Sequence, residues 1–246
     1  MVEWNRNISE ICELDGNKIV SKVHLKPIFL RRELFFYDLF RDNSLVRTPK
    51  IYAVDKLNLQ TYFIETEDKD VFKMAEEWAR VHSHFMKNPI KDNRLLIPHD
   101  INEVTSYVLK NLEIFGGLSL IVENRLFSAK MNLGLTTLLH GDLQRKNMVT
   151  FQGENYYFDF ELGGLGHPGR DVASMIISNP DKKEELITIY REHIDFNYSS
   201  LEEDINNWLL ARAAQLYIIF DKRQGTSEQK NIIKGKLSKI IQSFSY

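Results

Sequence analysis

Three polar residues stand out against the apolar segments of LLHGDLQRKNMVTFQGENYYFDFELGGLGHPGRDVAS, residues 138–174: Asp142, Asn147 and Asp159. Their types suit phosphoryl transfer, a reaction that asks the protein for little covalent chemistry. It needs a carboxylate to orient an incoming hydroxyl and accept its proton. It also needs oxygen ligands for a magnesium ion that offsets the phosphate charge. An aspartate with an asparagine five positions later fits a short loop that brings both side chains to one cleft. A second aspartate, at the end of a strand hairpin, can complete the metal site.

The ordered set His140-Gly141-Asp142-Leu143, Asn147, Asp159-Phe160-Glu161 and Asp171 resembles the aminoglycoside phosphotransferase and choline kinase superfamily, small-molecule relatives of the protein kinases. The resemblance implies that Asp142 is the catalytic base and that Asn147 and Asp159 are the magnesium ligands. His140 would be a structural member of the catalytic loop, and Asp171 would brace that loop through its backbone amides. ATP or GTP would be the phosphoryl donor, with Mg2+. The acceptor would be a small-molecule hydroxyl, of aminoglycoside type or on a choline-like amino alcohol. A lysine on a central strand of the first lobe should grip the α- and β-phosphates, held by a helix glutamate. Lys22 in KIVSKVHL and Glu33 in FLRRELFF are the candidates. Lys26 is a rival, and Glu33 could instead pair with Arg31 or Arg32. A kinase-like hinge, holding the purine by backbone groups, falls at residues 63–66, which makes Glu65 and Thr66 binding candidates.

Two features depart from the protein-kinase pattern. Gly16 is the only glycine before Lys22, so no glycine-rich loop covers the phosphates and Asn5 to Ser9 would approach them without glycine's freedom. Glu161 replaces the glycine of Asp-Phe-Gly, as in choline kinase-like members. It could touch metal-bound water or serve as a salt-bridge partner. Asp171 follows Asp159 by only twelve residues, which leaves no activation segment. The competing reading is a degenerate kinase-like module that binds nucleotide without transfer. The acceptor is not named by any residue. Glu202, Glu203 and Asp204 could meet a cationic acceptor, but acids in a first helical turn also oppose the helix dipole. Trp208 and Tyr217 suit core packing. Arg145 and Lys146 read as a solvated loop tip.

These residues need elements to hold them. Residues 9–14 and 18–24 form β-capable runs around Asp15-Gly16-Asn17, a hairpin signal. A helix follows at 29–41, then a second hairpin of 50–55 and 59–65. Val71, Met74, Ala75, Trp78, Val81, His82 and Phe85 share one helical face, with His82 in the core. Ile101, Val104, Val108 and Leu112 repeat the pattern. A strand-rich island spans about 136–160 with a turn at Gln152-Gly153. Helices follow near 180–193, capped by Asn179, at 201–222 after a Ser200–Glu203 capping box, and after Ser227. The expected fold is α+β and protein kinase-like: a small β-rich N-terminal lobe, residues 1–66, and a larger, mainly helical C-terminal lobe, residues 67–246.

Composition narrows the classes further. With 32 basic against 34 acidic residues the formal net charge is −2, which argues against a nucleic-acid partner that needs a broad basic face. No apolar run approaches the ~20 residues of a membrane span, and the N-terminus lacks a signal-peptide core. A single cysteine, Cys12, fits a cytoplasmic setting. Oligomeric state stays open.

Overall fold

The computed structural model describes residues 8–91, 94–128, 135–196, 199–222 and 227–244. The chain opens with strands β1 (Ile8–Leu14) and β2 (Asn17–Val23), helix α1 (Pro27–Asn43), and strands β3 (Ile51–Asp55) and β4 (Asn58–Tyr62). The four strands form one antiparallel sheet in the order β1-β2-β4-β3. Asp15 and Gly16 both take positive φ, as a two-residue hairpin turn following right-handed strand twist requires. Pro27 starts α1 two residues earlier than the periodicity indicates, because proline suits a first helical turn. Ser44, in a left-handed conformation, ends it. β4 stops at Tyr62, three residues short of the expected strand.

Helices dominate the remainder. They are α2 (Val71–Lys87), α3 (Ile101–Leu109), α4 (Ser119–Ser128), α5 (Gly169–Ser178), α6 (Lys183–His193), α7 (Leu201–Lys222) and α8 (Ser227–Gln242). Asp70 caps α2 by accepting from the amides of Phe72 and Lys73. Between α4 and α5 lie β6 (Thr137–Leu139) and the hairpin of β7 (Met148–Phe151) and β8 (Glu154–Tyr157). Gln152 and Gly153 supply the positive-φ turn of that hairpin. Two short strands escape the sequence patterns: β5 (Ile97–His99) runs parallel to β9 (Gly164–Gly166), which pairs antiparallel with β6. Three-residue strands carry too little alternation to read. Gly164 is needed there, since a Cβ would lie 2.0 Å from the Ile97 carbonyl oxygen.

Capping corrects two expectations. Asn179 does not cap the helix that follows it. Its Nδ2 donates to the Met175 carbonyl, closing the end of α5 instead. The Ser200 hydroxyl points at the Asp204 carboxylate (3.5 Å) rather than at a backbone amide. Asp204 itself is fully buried, beside His167 at 3.6 Å, so it is not a solvent-facing acid of a first turn. The Ser227 side chain and residues 5–7 lie outside the described set.

One continuous core runs under both the sheet and the helices. Its centre is aromatic. Phe36 of α1 stacks on Phe160 (centroids 4.9 Å, interplanar 6°), Phe160 meets His140 (4.6 Å), and His140 meets Trp78 of α2 (5.5 Å). The helix of the small lobe is thereby packed onto the loops that hold Asp142 and Asp159. Removing the Phe36 ring should cost about 3–5 kcal/mol, as for other buried Phe→Ala changes. Urea denaturation of Phe36→Ala would check this. A loss under 1 kcal/mol would mean that the ring does not join the lobes.

Candidate active site

Asp142 is positioned from behind. The residues before it, His140 and Gly141, leave β6, and both their amides donate to Asp171 of α5, at 2.7 Å to Oδ2 and 3.0 Å to Oδ1. Asp171 is fully buried. Burial pushes its carboxyl up, but the His82 hydrogen bond and nearby histidines more than offset this and hold it below the usual range. His82 Nε2 faces Asp171 at 3.3 Å and its Nδ1 meets the Tyr190 hydroxyl at 2.7 Å. The core histidine is thus also a polar tie that orients the brace. Gly141 has φ +83°, and a Cβ there would lie 1.9 Å from the Leu162 carbonyl oxygen. Only glycine lets the two loops approach so closely.

Asn147 and Asp159 stand at the open end of the β7–β8 hairpin. Met148 pairs with Tyr157, so the residues flanking the pair come together, and the Phe158 amide donates to the Asn147 carbonyl at 3.2 Å. Asn155 and Tyr157 both donate to Glu77 of α2, which fixes the hairpin on the core. Asn147 Nδ2 donates to the Asp142 backbone oxygen (2.8 Å) and to its Oδ2 (3.2 Å). Its amide oxygen is the atom left for a ligand. Asp159 sits in left-handed backbone (φ 70°, ψ 48°), a conformation aspartate tolerates better than most residues. Its amide donates to Glu33 Oε1 at 3.1 Å.

The small lobe answers from the other side. Lys22 Nζ donates to Glu33 Oε2 (2.7 Å) and Asp159 Oδ1 (2.6 Å), with Glu161 Oε2 at 4.0 Å. Burial alone would lower the Lys22 ammonium, but Glu33 and Asp159 outweigh it and raise its pKa. Glu33 is buried. Burial pushes its carboxyl up and Lys22 pulls against that shift. Arg31 does not compete for Glu33, and the neighbouring Arg32 binds the backbone oxygens of Leu95 and Glu161 instead. Lys26 lies over the Phe29 ring, 5.8 Å from its centroid.

The Asp142 carboxylate accepts from Gln144 Nε2 (2.8 Å). Lys146 Nζ lies 3.1 Å from it and Arg212 Nη2 3.4 Å. Burial pushes the carboxyl up, but Lys146 and Arg212 more than compensate, so Asp142 sits below the ordinary aspartate value. It is ionised at neutral pH and accepts hydrogen bonds only.

These residues line one cleft of about 800 Å³ between the sheet and the helices. Lys22, Glu33, Asp142, Asn147, Asp159 and Glu161 all face it. Glu65 and Thr66 do not. Both are exposed, and because β4 ends at Tyr62 the cleft is lined by Phe63 and Ile64 instead. Trp208 is core, and Tyr217 stacks on Phe115 at 5.2 Å. Lys146 is not a free loop tip, since it pairs with Asp142. Arg212 escapes the sequence reading altogether. The available signal was an arginine inside the apolar run Leu209–Ala214, where a buried charge needs a partner.

Among the described residues no group of three or more His, Cys, Asp or Glu is placed to hold a metal ion. No helix among them is long and apolar enough to cross a membrane.

No protein-family model and no curated protein sequence matches the chain. Solved structures do. An amicoumacin kinase in complex with AMP-PNP, Ca2+ and its ligand superposes with a TM-score of 0.69 at 12% identity, covering 98% of this chain and 87% of that one. The AMP-bound spectinomycin phosphotransferase APH(9)-Ia gives 0.69 at 12%, covering 97% and 91%. The choline kinase LicA from Streptococcus pneumoniae gives 0.64 at 14%, covering 96% and 90%. The chain shares the fold of these kinases and phosphotransferases.

Histidines shielded from water give the chain a pH signature, and burial lowers the fully buried His140 as well as three others. Burial, followed by the charge of Lys22, lowers His24 to about 4. Burial and Arg170 lower His99 to about 3, and burial lowers His167 to about 4. Each group's folded value lies below its unfolded value of 6.5. The associated stability is therefore complete above that value and is lost as pH falls toward 4. Asp142 and Asp171, held below 3.8, add their loss only at lower pH. Each histidine contributes a slope of up to about 1.4 kcal/mol per pH unit. Denaturation measured across this range should show that fall, and His99→Gln should flatten it by one proton's worth. A flat profile would mean that the three imidazoles are hydrated.

Proposed function

We propose that the chain is a nucleotide-dependent phosphotransferase that moves the γ-phosphoryl group of ATP or GTP onto a hydroxyl of a small molecule in the cytoplasm. The observation that carries this reading is the convergence of Lys22, Asp142, Asn147 and Asp159 on one cleft. They come from β2, from the stretch between β6 and β7, and from the end of the β7–β8 hairpin, and the fold is shared with small-molecule kinases.

In this reading the acceptor oxygen forms a bond to the γ-phosphorus as the bond to the β–γ bridging oxygen breaks. The acceptor's proton passes to an Asp142 carboxylate oxygen, and a nucleoside diphosphate leaves. Asp142 orients the hydroxyl, and the Asp171 clamp on the loop amides holds Asp142 in place. Lys22, held by Glu33, meets the α- and β-phosphates. The purine lies near Phe63 and Ile64, with the exposed backbone of Glu65 and Thr66 beyond them.

Magnesium is the divalent ion that this donor set suits. It is commonly held by one or two carboxylates, with phosphate oxygens and waters completing the shell. Asp159 offers a carboxylate, and Asn147, with its nitrogen committed to Asp142, offers an amide oxygen. Glu161 stands near enough to Lys22 to share this acidic corner. When bound, the ion supplies charge neutralisation on the phosphates. Acceptors of the classes named for the neighbours, an aminoglycoside or a choline-like amino alcohol, are the first to try.

The decisive measurement is phosphoryl transfer by purified protein with ATP or GTP and Mg2+. Asp142→Asn should lower kcat by about 10²–10⁴, the usual cost of losing a group that takes part in proton transfer. Unchanged transfer would remove Asp142 from the mechanism. Nucleotide with Mg2+ at about 100 times its Kd should add about 2.7 kcal/mol of stability. Such stabilisation without transfer to any acceptor would instead make the chain a nucleotide-binding module.

A further inference from the structure

The cleft is electrically two-sided. Its acidic residues Glu33, Asp159 and Glu161 gather around Lys22, where nucleotide and metal would lie. The opposite wall, made by α7 and α8, presents Arg212 and Lys236 among Leu216, Ile219, Phe220 and Leu237. No acid of α7 or α8 lines the cleft among the described residues. That wall offers a cationic acceptor no carboxylate, only apolar surface and the Phe220 ring.

Arg212 is 3% exposed, yet its hydrogen bonding is incomplete. Nη1 donates to Gln215 at 2.5 Å, and Nη2 reaches Asp142 only at 3.4 Å. Nε is buried with no partner among the described residues. A buried guanidinium short of acceptors costs free energy unless something completes its fork.

The surrounding charge has the same sign. Lys146 lies 3.1 Å from the Asp142 carboxylate that Arg212 also approaches. Arg170, buried just behind, donates to the Gly141 oxygen, and burial together with the Arg212 charge lowers it to about 9. The other nearby acid, Asp171, is taken up by two backbone amides and His82. One carboxylate, Asp142, is thus left to face the cations around the base.

We propose that the acceptor carries a carboxylate or comparable anionic group that seats against Arg212, on an otherwise apolar body that lies along α7 and α8. This rests on the phosphotransferase reading and narrows its acceptor away from cationic amino alcohols. An arginine fork matches a carboxylate in two-pronged geometry, which a lysine cannot reproduce.

Arg212 and Asp142 lie only 3.4 Å apart, so three short alcohols that differ only in their far end test the idea: 4-hydroxybutanoate, 4-aminobutan-1-ol and butane-1,4-diol. The full chain would be assayed with each, in the presence of ATP and Mg2+, for transfer and for a melting shift. The acid should exceed the amine by about ten- to a hundredfold in kcat/KM, the span expected of one charge-assisted hydrogen-bonded pair. Arg212→Gln should erase that preference through KM for the acid, while Arg212→Lys keeps part of it. An amine or diol used as well as the acid would overturn the proposal. So would the absence of any response to all three in protein that responds to nucleotide. An Arg212→Gln loss confined to kcat and equal for every acceptor would limit Arg212 to positioning Asp142, and would also overturn it. If Arg212→Gln does not fold, the ranking on the native chain still decides. A chain that shows no nucleotide response at all would instead defeat the phosphotransferase reading beneath the proposal.

Discussion

The arrangement of the cleft depends on one shared cation. Lys22 comes from the second strand, Glu33 from the helix that follows, and Asp159 from the far end of a hairpin 137 residues later. Each of these charges would be expensive to bury alone. Together they satisfy one another, and Glu33 uses its second oxygen to hold the Asp159 amide. Lys22 faces three carboxylates, counting Glu161, so this corner carries an excess of negative charge. Such an excess opposes close packing of more acids and favours a divalent cation. The corner therefore joins the lobes, and in the proposed reading it is where metal and phosphate would bind.

Position is then transmitted by contacts that leave little slack. Phe36, Phe160, His140 and Trp78 form a continuous aromatic path from α1 to α2, passing between the loops of Asp142 and Asp159. Gly141 and Leu162 touch backbone to backbone, and Arg32 ties α1 to the Glu161 oxygen. A close-packed interior responds to small volume changes. Moving α1 must therefore move the Asp159 loop as well, and with it the distance to Asp142.

How far the sequence could be read follows from where the chemistry was local. Asp142, Asn147 and Asp159 were legible because a loop and a hairpin bring them near in a way that spacing encodes. Lys22 and Glu33 were found through the family resemblance, and the alternation of the strand agrees with it. Of the hinge segment 63–66, Phe63 and Ile64 line the cleft while Glu65 and Thr66 stand outside it, where the chain has left the sheet after Tyr62 pairs with Ile19. Asp204 looked like a helix-dipole acid, and only the tertiary neighbour His167 shows that it is buried. Arg212 was hidden for the same reason: its helix reads as apolar, and its meaning lies in Asp142, 70 residues away. Three-residue strands and caps that serve the preceding helix, as Asn179 does, carry no periodic signal at all.

Under the proposed function, the charges around Asp142 bear on what the residue would contribute. Lys146 and Arg212 hold it ionised and so make it a weak base. A strong base would be needed if the proton left the hydroxyl early. In a loose phosphoryl transfer the bond to the leaving group is largely broken before the new one forms, and the proton is lost late. Orientation then matters more than basicity. The structure is built accordingly: Gln144, Asn147, Lys146 and Arg212 fix both carboxylate oxygens, and Asp171 fixes the loop beneath them. In the proposed transfer, a carboxylate held so firmly would lose little entropy on receiving a hydroxyl, and its contribution to the barrier would lie there.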